Sequence, residues 1–182
     1  MAIHMGTHTI DTFQHGAAAR PRAHLNSADM TPLTRVLFVC LGNICRSPLA
    51  HGVMRAQVAQ RGLAVEVDSA GTGDWHVGDP PDSRAKTIAQ SRDYDISDLR
   101  ARQVTRDDFD RFDLILGMDR RNLRDLRALQ PAHQCAELRL FLHSAQADVP
   151  DPYYDGRFEH VLNLVEEGCA HLLDGIMKKG RG

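Results

Sequence analysis

Apolar and polar positions along this chain alternate between two periods. Val36-Leu37-Phe38-Val39 is a short, unbroken apolar run, the pattern of a strand buried on both faces. From Ser47 to about Gln60 the apolar residues Leu49, Val53, Met54, Ala56 and Val58 recur at helical spacing. Pro48 falls in the first turn, where its missing N–H costs nothing, and Gly62 provides a stop. Further strands are predicted at Val65–Ser69, at Asp113–Met118 around Leu114-Ile115-Leu116, and at Leu138–Leu142. Ala70 to Pro81, rich in Gly, Asp and Pro, reads as loop. Helices are predicted over Pro81–Arg92, from Thr105 and the acidic pair Asp107-Asp108 onward, and over Asn122–Leu129 ahead of Pro131. Val149-Pro150-Asp151-Pro152 is expected to be loop because two prolines break any element there. A long amphipathic helix, Arg157–Met177, follows with Phe158, Val161, Leu162, Val165, Leu172, Leu173 and Ile176 on its apolar side.

Strands alternating with helices predict an α/β fold of three layers: a four-stranded, mostly parallel sheet with helices on both faces. Ligands in such folds sit beyond the carboxyl ends of the strands, where the strand order reverses. The loop that leaves the first strand, within VCLGNICRSPLA (Val39–Ala50), is therefore in the right place for chemistry.

Composition narrows the setting. One folded domain is expected over residues 35–178, with a short tail at 179–182. Residues 1–34 hold four of the ten histidines, show no sustained period and lack the apolar centre of a signal peptide. They are expected to be a disordered extension: an added leader, sequence upstream of a start at Met30, or an organelle transit sequence. A net charge of −2 argues against nucleic-acid or membrane-surface binding, and no apolar run approaches membrane-spanning length. Four cysteines are too few for a disulfide scaffold, which favours a reducing, cytoplasmic setting. No cluster has metal-ligand spacing, so neither metal nor other cofactor is expected.

Within the loop, Gly42 and Asn43 tolerate left-handed backbone angles, and Ser47 opens the helix. Such a turn aims the amides from Leu41 through Gly42, Asn43, Ile44, Cys45 and Arg46 to Ser47 at one point. The helix N-terminus adds its own donors, which makes a nest for a tetrahedral oxyanion. Arg46 brings a planar fork that grips two phosphate oxygens at once. The same field lowers the pKa expected for Cys40 and makes its thiolate the expected nucleophile. Cys40 and Arg46 enclose five residues, a spacing of moderate specificity that its strand-before, helix-after context sharpens.

VCLGNICRSPLA resembles the phosphate-binding loop of the low-molecular-weight protein tyrosine phosphatases. The likeness extends to Ser69-Ala70-Gly71-Thr72, Pro80-Pro81-Asp82, Ala101-Arg102-Gln103, Met118-Asp119 and Asp151-Pro152-Tyr153-Tyr154. It implies a cysteine-dependent, metal-independent protein-tyrosine phosphatase acting through a phosphocysteine intermediate. Phosphotyrosine proteins would be its substrates, and a tyrosine kinase a candidate partner. By the same resemblance Asp151 is the general acid, Ser47 supports the Cys40 sulfur, and Cys45 can pair with Cys40 on oxidation. The residues alone leave other readings open. Asp151 beside Pro152 can be a plain turn, and Ser47 a helix cap. Asn43, with Ser69 as the expected partner, is either a brace or ordinary turn chemistry. Asp119 either positions Arg46 or caps the next helix. Trp75, Tyr153 and Tyr154 are expected as aromatic walls of a deep pocket; Trp75 can instead be a surface-loop aromatic of no consequence. His51 and His76 receive no role. The family's histidine just before the Arg-Ala-Arg-Gln stretch is missing here, where the chain reads Asp98-Leu99-Arg100.

Three other functions share parts of this pattern. An arsenate reductase needs relay cysteines after the third strand, and Ile115 to Asp119 contains none. Protein-arginine phosphatases resembling this loop carry threonine where Ile44 stands. A catalytically silent phosphoprotein-binding module would not need Cys40, Arg46 and Asp151 all present.

Overall fold

The computed structural model describes residues 34–133 and 136–179. The expectations for residues 1–33 and 180–182 lie outside them. The elements, in order, are β1 (Thr34–Cys40), α1 (Arg46–Arg61), β2 (Val65–Gly71), α2 (Ser83–Gln90), α3 (Asp108–Arg111), β3 (Leu114–Gly117), α4 (Arg120–Leu129), β4 (Glu137–Leu140), α5 (Pro152–Asp155) and α6 (Phe158–Lys179).

The four strands pair in the order β2-β1-β3-β4, and every pair is parallel. The sheet is thus wholly rather than mostly parallel, as right-handed crossovers through helices favour. Val36 through Val39 are completely buried because both faces of β1 are covered. Alternate side chains serve opposite layers. Val36, Phe38 and Cys40 join Leu114 and Leu116 in a core beneath α1 and α6, where Leu49, Val53, Val161, Leu162 and Val165 pack. Phe38 meets Phe141 edge to face at 5.3 Å between centroids. Leu37, Val39 and Ile115 point the other way, onto Phe109, Phe112 and Leu126.

Differences from the expected elements are confined to their ends and to one turn. Thr34 already belongs to β1, and α6 runs to Lys179 instead of stopping at Met177. β4 ends at Leu140, because Phe141 turns back into the core. The expected breaker segment does contain an element: Pro152 occupies the first turn of α5, where a proline is tolerated. That turn closes at Gly156, which adopts φ 74°.

His51 on α1 is buried, with Nδ1 3.3 Å from the Ser69 hydroxyl on β2 and 4.0 Å from an Asp68 carboxylate oxygen. Burial is the main cause that pushes its pKa down to about 4, while Asp68 opposes the shift. The fold therefore holds the ring neutral. Between the ordinary value near 6.5 and about 4, the unfolded chain binds the proton and the folded chain does not. This contribution to stability is complete above that window and is lost as pH falls through it. Replacing His51 with Asn should make the loss of urea-unfolding free energy between about pH 7 and pH 5 smaller by about 2 kcal/mol. An unchanged slope would remove His51 from the account.

Candidate active site

β1 lies between β2 and β3, so the chain leaves its carboxyl end at the switch point of the sheet. The connection to α1 is short, and neighbouring segments take its carbonyls. Thr72 N–H donates to Cys40 O at 2.9 Å, Gly73 N–H to Leu41 O at 2.8 Å, and Asp82 N–H to Ile44 O at 2.8 Å. With these carbonyls met by neighbouring segments, the Asn43 amide is free to face the Cys40 sulfur. Asn43 takes φ 55°, the left-handed region. Gly71 at the end of β2 has no room for a side chain, since a Cβ there would lie 2.8 Å from Leu41 O and 3.1 Å from Asn43 N.

A small buried network surrounds the Cys40 sulfur. Asn43 N–H donates to it at 3.3 Å, and the Ser47 hydroxyl lies 3.0 Å away. Ser47 Oγ accepts from Asn43 Nδ2 at 2.9 Å, and its own hydrogen has the sulfur or the Ala70 carbonyl, at 3.3 Å, as acceptor. Asn43 Oδ1 accepts from the main-chain N–H of Arg102 at 3.0 Å. Cys45, at the N-cap of α1, contributes no side-chain cap, and its thiol is pushed up by burial and then by the charges of Asp82, Cys40 and Asp151. Both thiols are free.

Arg46 is 3% exposed. Its Nη1 donates to Asp119 at 2.6 Å and to Val149 O at 3.2 Å, and its Nη2 donates to Asp151 at 2.9 Å. Burial opposes the charged form. The charge of Cys40, the hydrogen bond donated to Asp119 and the charge of Asp151 more than offset it, so the pKa is raised and the guanidinium is held cationic. Asp119 performs both tasks left open by the sequence: it orients Arg46, and its other oxygen caps α4 by accepting from Asn122 N–H at 2.7 Å.

Cys40, Arg46 and Asp151 line one cavity of about 300 Å³, together with Leu41, Gly42, Ile44 and Cys45. Trp75, Tyr153 and Tyr154 line it too and are largely exposed, at 61%, 42% and 87%. Tyr153 and Tyr154 meet edge to face at 5.1 Å. His76, given no role from sequence, is also a wall: its Nδ1 lies 2.9 Å from Asp79, and its ring edge lies against Gly42. Only the dipeptide Trp75-His76 could have signalled it, because a loop has no period from which to read a direction.

Ser69 is not the partner of Asn43. It faces His51, and the place expected for it is filled by Ser47 and the Arg102 amide. Arg102 was legible only as part of a motif. Its side chain forks onto Asp108 at 2.9 and 3.0 Å and reaches Asp68 at 2.9 and 3.1 Å, which fixes its main-chain donor. Leu99, where the histidine was expected, packs partly buried against the core. Among the described residues no group of His, Cys, Asp or Glu could hold a metal ion.

A cysteine and an arginine on one strand-to-helix loop, at the switch point of a parallel sheet and with an amide and a hydroxyl against the sulfur, define a class of site. Comparison with known proteins narrows that class. Residues 35–181 match the family model described as "Low molecular weight phosphotyrosine protein phosphatase". The chain is 42% identical over 150 residues to the low molecular weight protein-tyrosine-phosphatase YfkJ of Bacillus subtilis, covering 79% of this chain and 96% of that protein. It is 43% identical over 159 residues to a low molecular weight protein-tyrosine-phosphatase of Streptomyces coelicolor, covering 81% and 96%. The crystal structure of YfkJ superimposes with a TM-score of 0.75 over 81% of this chain and 97% of that one, at 41% identity. Wzb of Vibrio vulnificus in complex with benzylphosphonate gives 0.70 over 79% and 99%, at 27% identity. This chain belongs to the low molecular weight phosphotyrosine protein phosphatase family.

The contact of Gly71 with the loop is testable. In Gly71→Ala the added methyl must push against main chain rather than a flexible side chain, and such overpacking costs about 1–3 kcal/mol. The urea midpoint should fall accordingly, and competitive inhibition by inorganic phosphate should weaken as the loop amides turn. Phosphate inhibition equal to that of the unaltered protein would mean the loop does not depend on this contact.

Proposed function

We propose that this chain hydrolyses phosphotyrosine monoesters in proteins through a phosphocysteine intermediate. The observation that carries this is the convergence of the Cys40 sulfur, the Arg46 guanidinium and the Asp151 carboxylate on one cavity with aromatic walls. The Cys40 sulfur attacks phosphorus in line while the bond to the aryl oxygen breaks, and Asp151 gives that oxygen its proton. Water then attacks the phosphocysteine, Asp151 takes a proton from it, the P–S bond breaks, and phosphate leaves. The amides from Leu41 to Ser47 and the fork of Arg46 hold the equatorial oxygens through both steps. Nη1 of Arg46 is anchored on Asp119 and Val149, so phosphate oxygens exchange with Asp151 at Nη2 and release the carboxylate beside the leaving oxygen.

Three features support an aromatic ester. Ile44 on the cavity wall suits a ring better than a guanidinium. Trp75, Tyr153 and Tyr154 give the cavity depth that a phosphoserine side chain is too short to cross. Wzb, a structural neighbour, binds benzylphosphonate, whose ring and tetrahedral head have the shape of a phosphotyrosine side chain. The substrates are phosphoproteins, a protein-tyrosine kinase is the class of enzyme that supplies them, and free thiols suit a reducing, cytoplasmic setting. Among the described residues no helix is long and apolar enough to cross a membrane.

The protein should release phosphate from p-nitrophenyl phosphate and from phosphotyrosine peptides at mildly acid pH. Cys40→Ser should abolish turnover. Asp151→Asn should lower kcat at least about a hundredfold, the usual scale for loss of a general acid, and leave inhibition by phosphate nearly intact. Equal rates on phosphoserine and phosphotyrosine peptides would refute the deep aromatic pocket.

A further inference from the structure

We infer that Arg84 is a positioning residue for proton transfer: it holds the segment that carries Asp151 at a set distance from the phosphate loop. The inference rests on the reading of Asp151 given above. It starts from a chain of contacts that bridges two otherwise separate walls of the site. Asp82 N–H donates to Ile44 O at 2.8 Å, which ties the start of α2 to the phosphate loop. The Asp82 carboxylate caps α2 by accepting from Arg84 N–H at 2.8 Å. It also receives the Arg84 fork, Nε at 3.0 Å on one oxygen and Nη2 at 2.8 Å on the other.

With two edges of the guanidinium occupied, Nη1 projects to the other wall and donates to Tyr153 O at 3.1 Å. The cation also lies 5.3 Å from the Tyr153 ring centroid and 4.8 Å from that of Phe158. Tyr153 N–H in turn donates to Asp151 Oδ1 at 3.2 Å. Between Asp151 and Phe158 the chain makes one helical turn closed by Gly156; Pro152 and Phe158 are buried at its two ends, and between them Tyr153 and Tyr154 are exposed, so the middle of the turn has little packing to hold it. Arg84 grips it near its start, at Tyr153, and at its far end, where Phe158 opens α6. The Arg84 side chain is itself half-exposed, so its removal has small consequences for the fold. Its effect falls on where the carboxylate stands when the leaving oxygen needs a proton. Lysine can reach the Tyr153 carbonyl, but it cannot fork onto Asp82 at the same time.

The test separates positioning from structure through leaving-group dependence. Phenolate leaves poorly and needs the proton, whereas p-nitrophenolate leaves well and needs it far less. In the full chain, kcat/KM is measured for phenyl phosphate and p-nitrophenyl phosphate in wild type, Arg84→Met, Arg84→Lys and Asp151→Asn, each with its urea midpoint. Arg84→Met should lose about tenfold on phenyl phosphate and no more than about twofold on p-nitrophenyl phosphate. Arg84→Lys should fall between it and wild type, and Asp151→Asn should show the largest selective loss. Equal losses on both substrates in Arg84→Met and Arg84→Lys, or none, overturn the inference while Asp151 keeps its role. If Asp151→Asn itself shows no selectivity, the reading of Asp151 falls, and this inference falls with it. Should Arg84→Met fail to fold, Arg84→Lys alone decides by the same ratio.

Discussion

A buried guanidinium must be surrounded by acceptors, and at Arg46 that requirement organises the site. The side chain is almost sealed from water, where an unpaired cation would cost several kcal/mol. Its partners come from positions 73, 103 and 105 residues away: Asp119 at the end of β3, the Val149 carbonyl and Asp151. None of the three contacts is local, so the loop after β1 acquires its charge geometry only when β3 and the segment after β4 have docked. The stability of the fold and the arrangement of the site are therefore coupled through one side chain. Asp119 deepens the coupling, since the carboxylate that orients Arg46 also begins α4.

The loop after β1 solves a second constraint, that of main-chain polarity. A turn whose amides converge inward must send its carbonyls outward and have them met there. Thr72, Gly73 and Asp82 meet them. The left-handed turn at Asn43 is braced from both sides of its amide, by Ser47 and by the Arg102 N–H. Arg102 is in turn immobilised by two carboxylates, Asp68 and Asp108. The brace expected from a histidine before Arg100 is thus not needed to satisfy Asn43, because a main-chain donor held by an ion-pair fork does the same work.

The parts legible in the sequence were those whose cause is local. β1 could be read because burial on both faces leaves an unbroken apolar run, and α1 because its apolar residues recur at helical spacing and Gly62 stops it. Cys40 and Arg46 could be singled out because a nest needs small, left-handed residues between strand and helix. What stayed illegible depends on contacts across the chain. Ser69 faces His51 rather than Asn43 because β2 presents alternate side chains to different layers, and the register that decides which is set by pairing with β1. His76 and Arg102 lie in loops, where no period shows which way a side chain turns. The turn at Pro152 escapes the sequence pattern because a proline that ends one element can begin another, and only the capping by Asp151 distinguishes the two.

Two cysteines five positions apart show how far environment outweighs residue type. Both are buried. Cys40 ends a strand with an amide and a hydroxyl directed at its sulfur. Cys45 stands at the helix start beside Asp82, and burial with that charge keeps its proton in place. The loop thus holds one sulfur met by an amide and a hydroxyl and one that burial keeps protonated, from the same residue type in the same turn. The tyrosines and tryptophan are the exposed members of the cavity, while Cys40, Cys45 and Arg46 are buried. Exposed walls can change with little cost to the core. A fold built this way can keep one reaction and vary what it accepts.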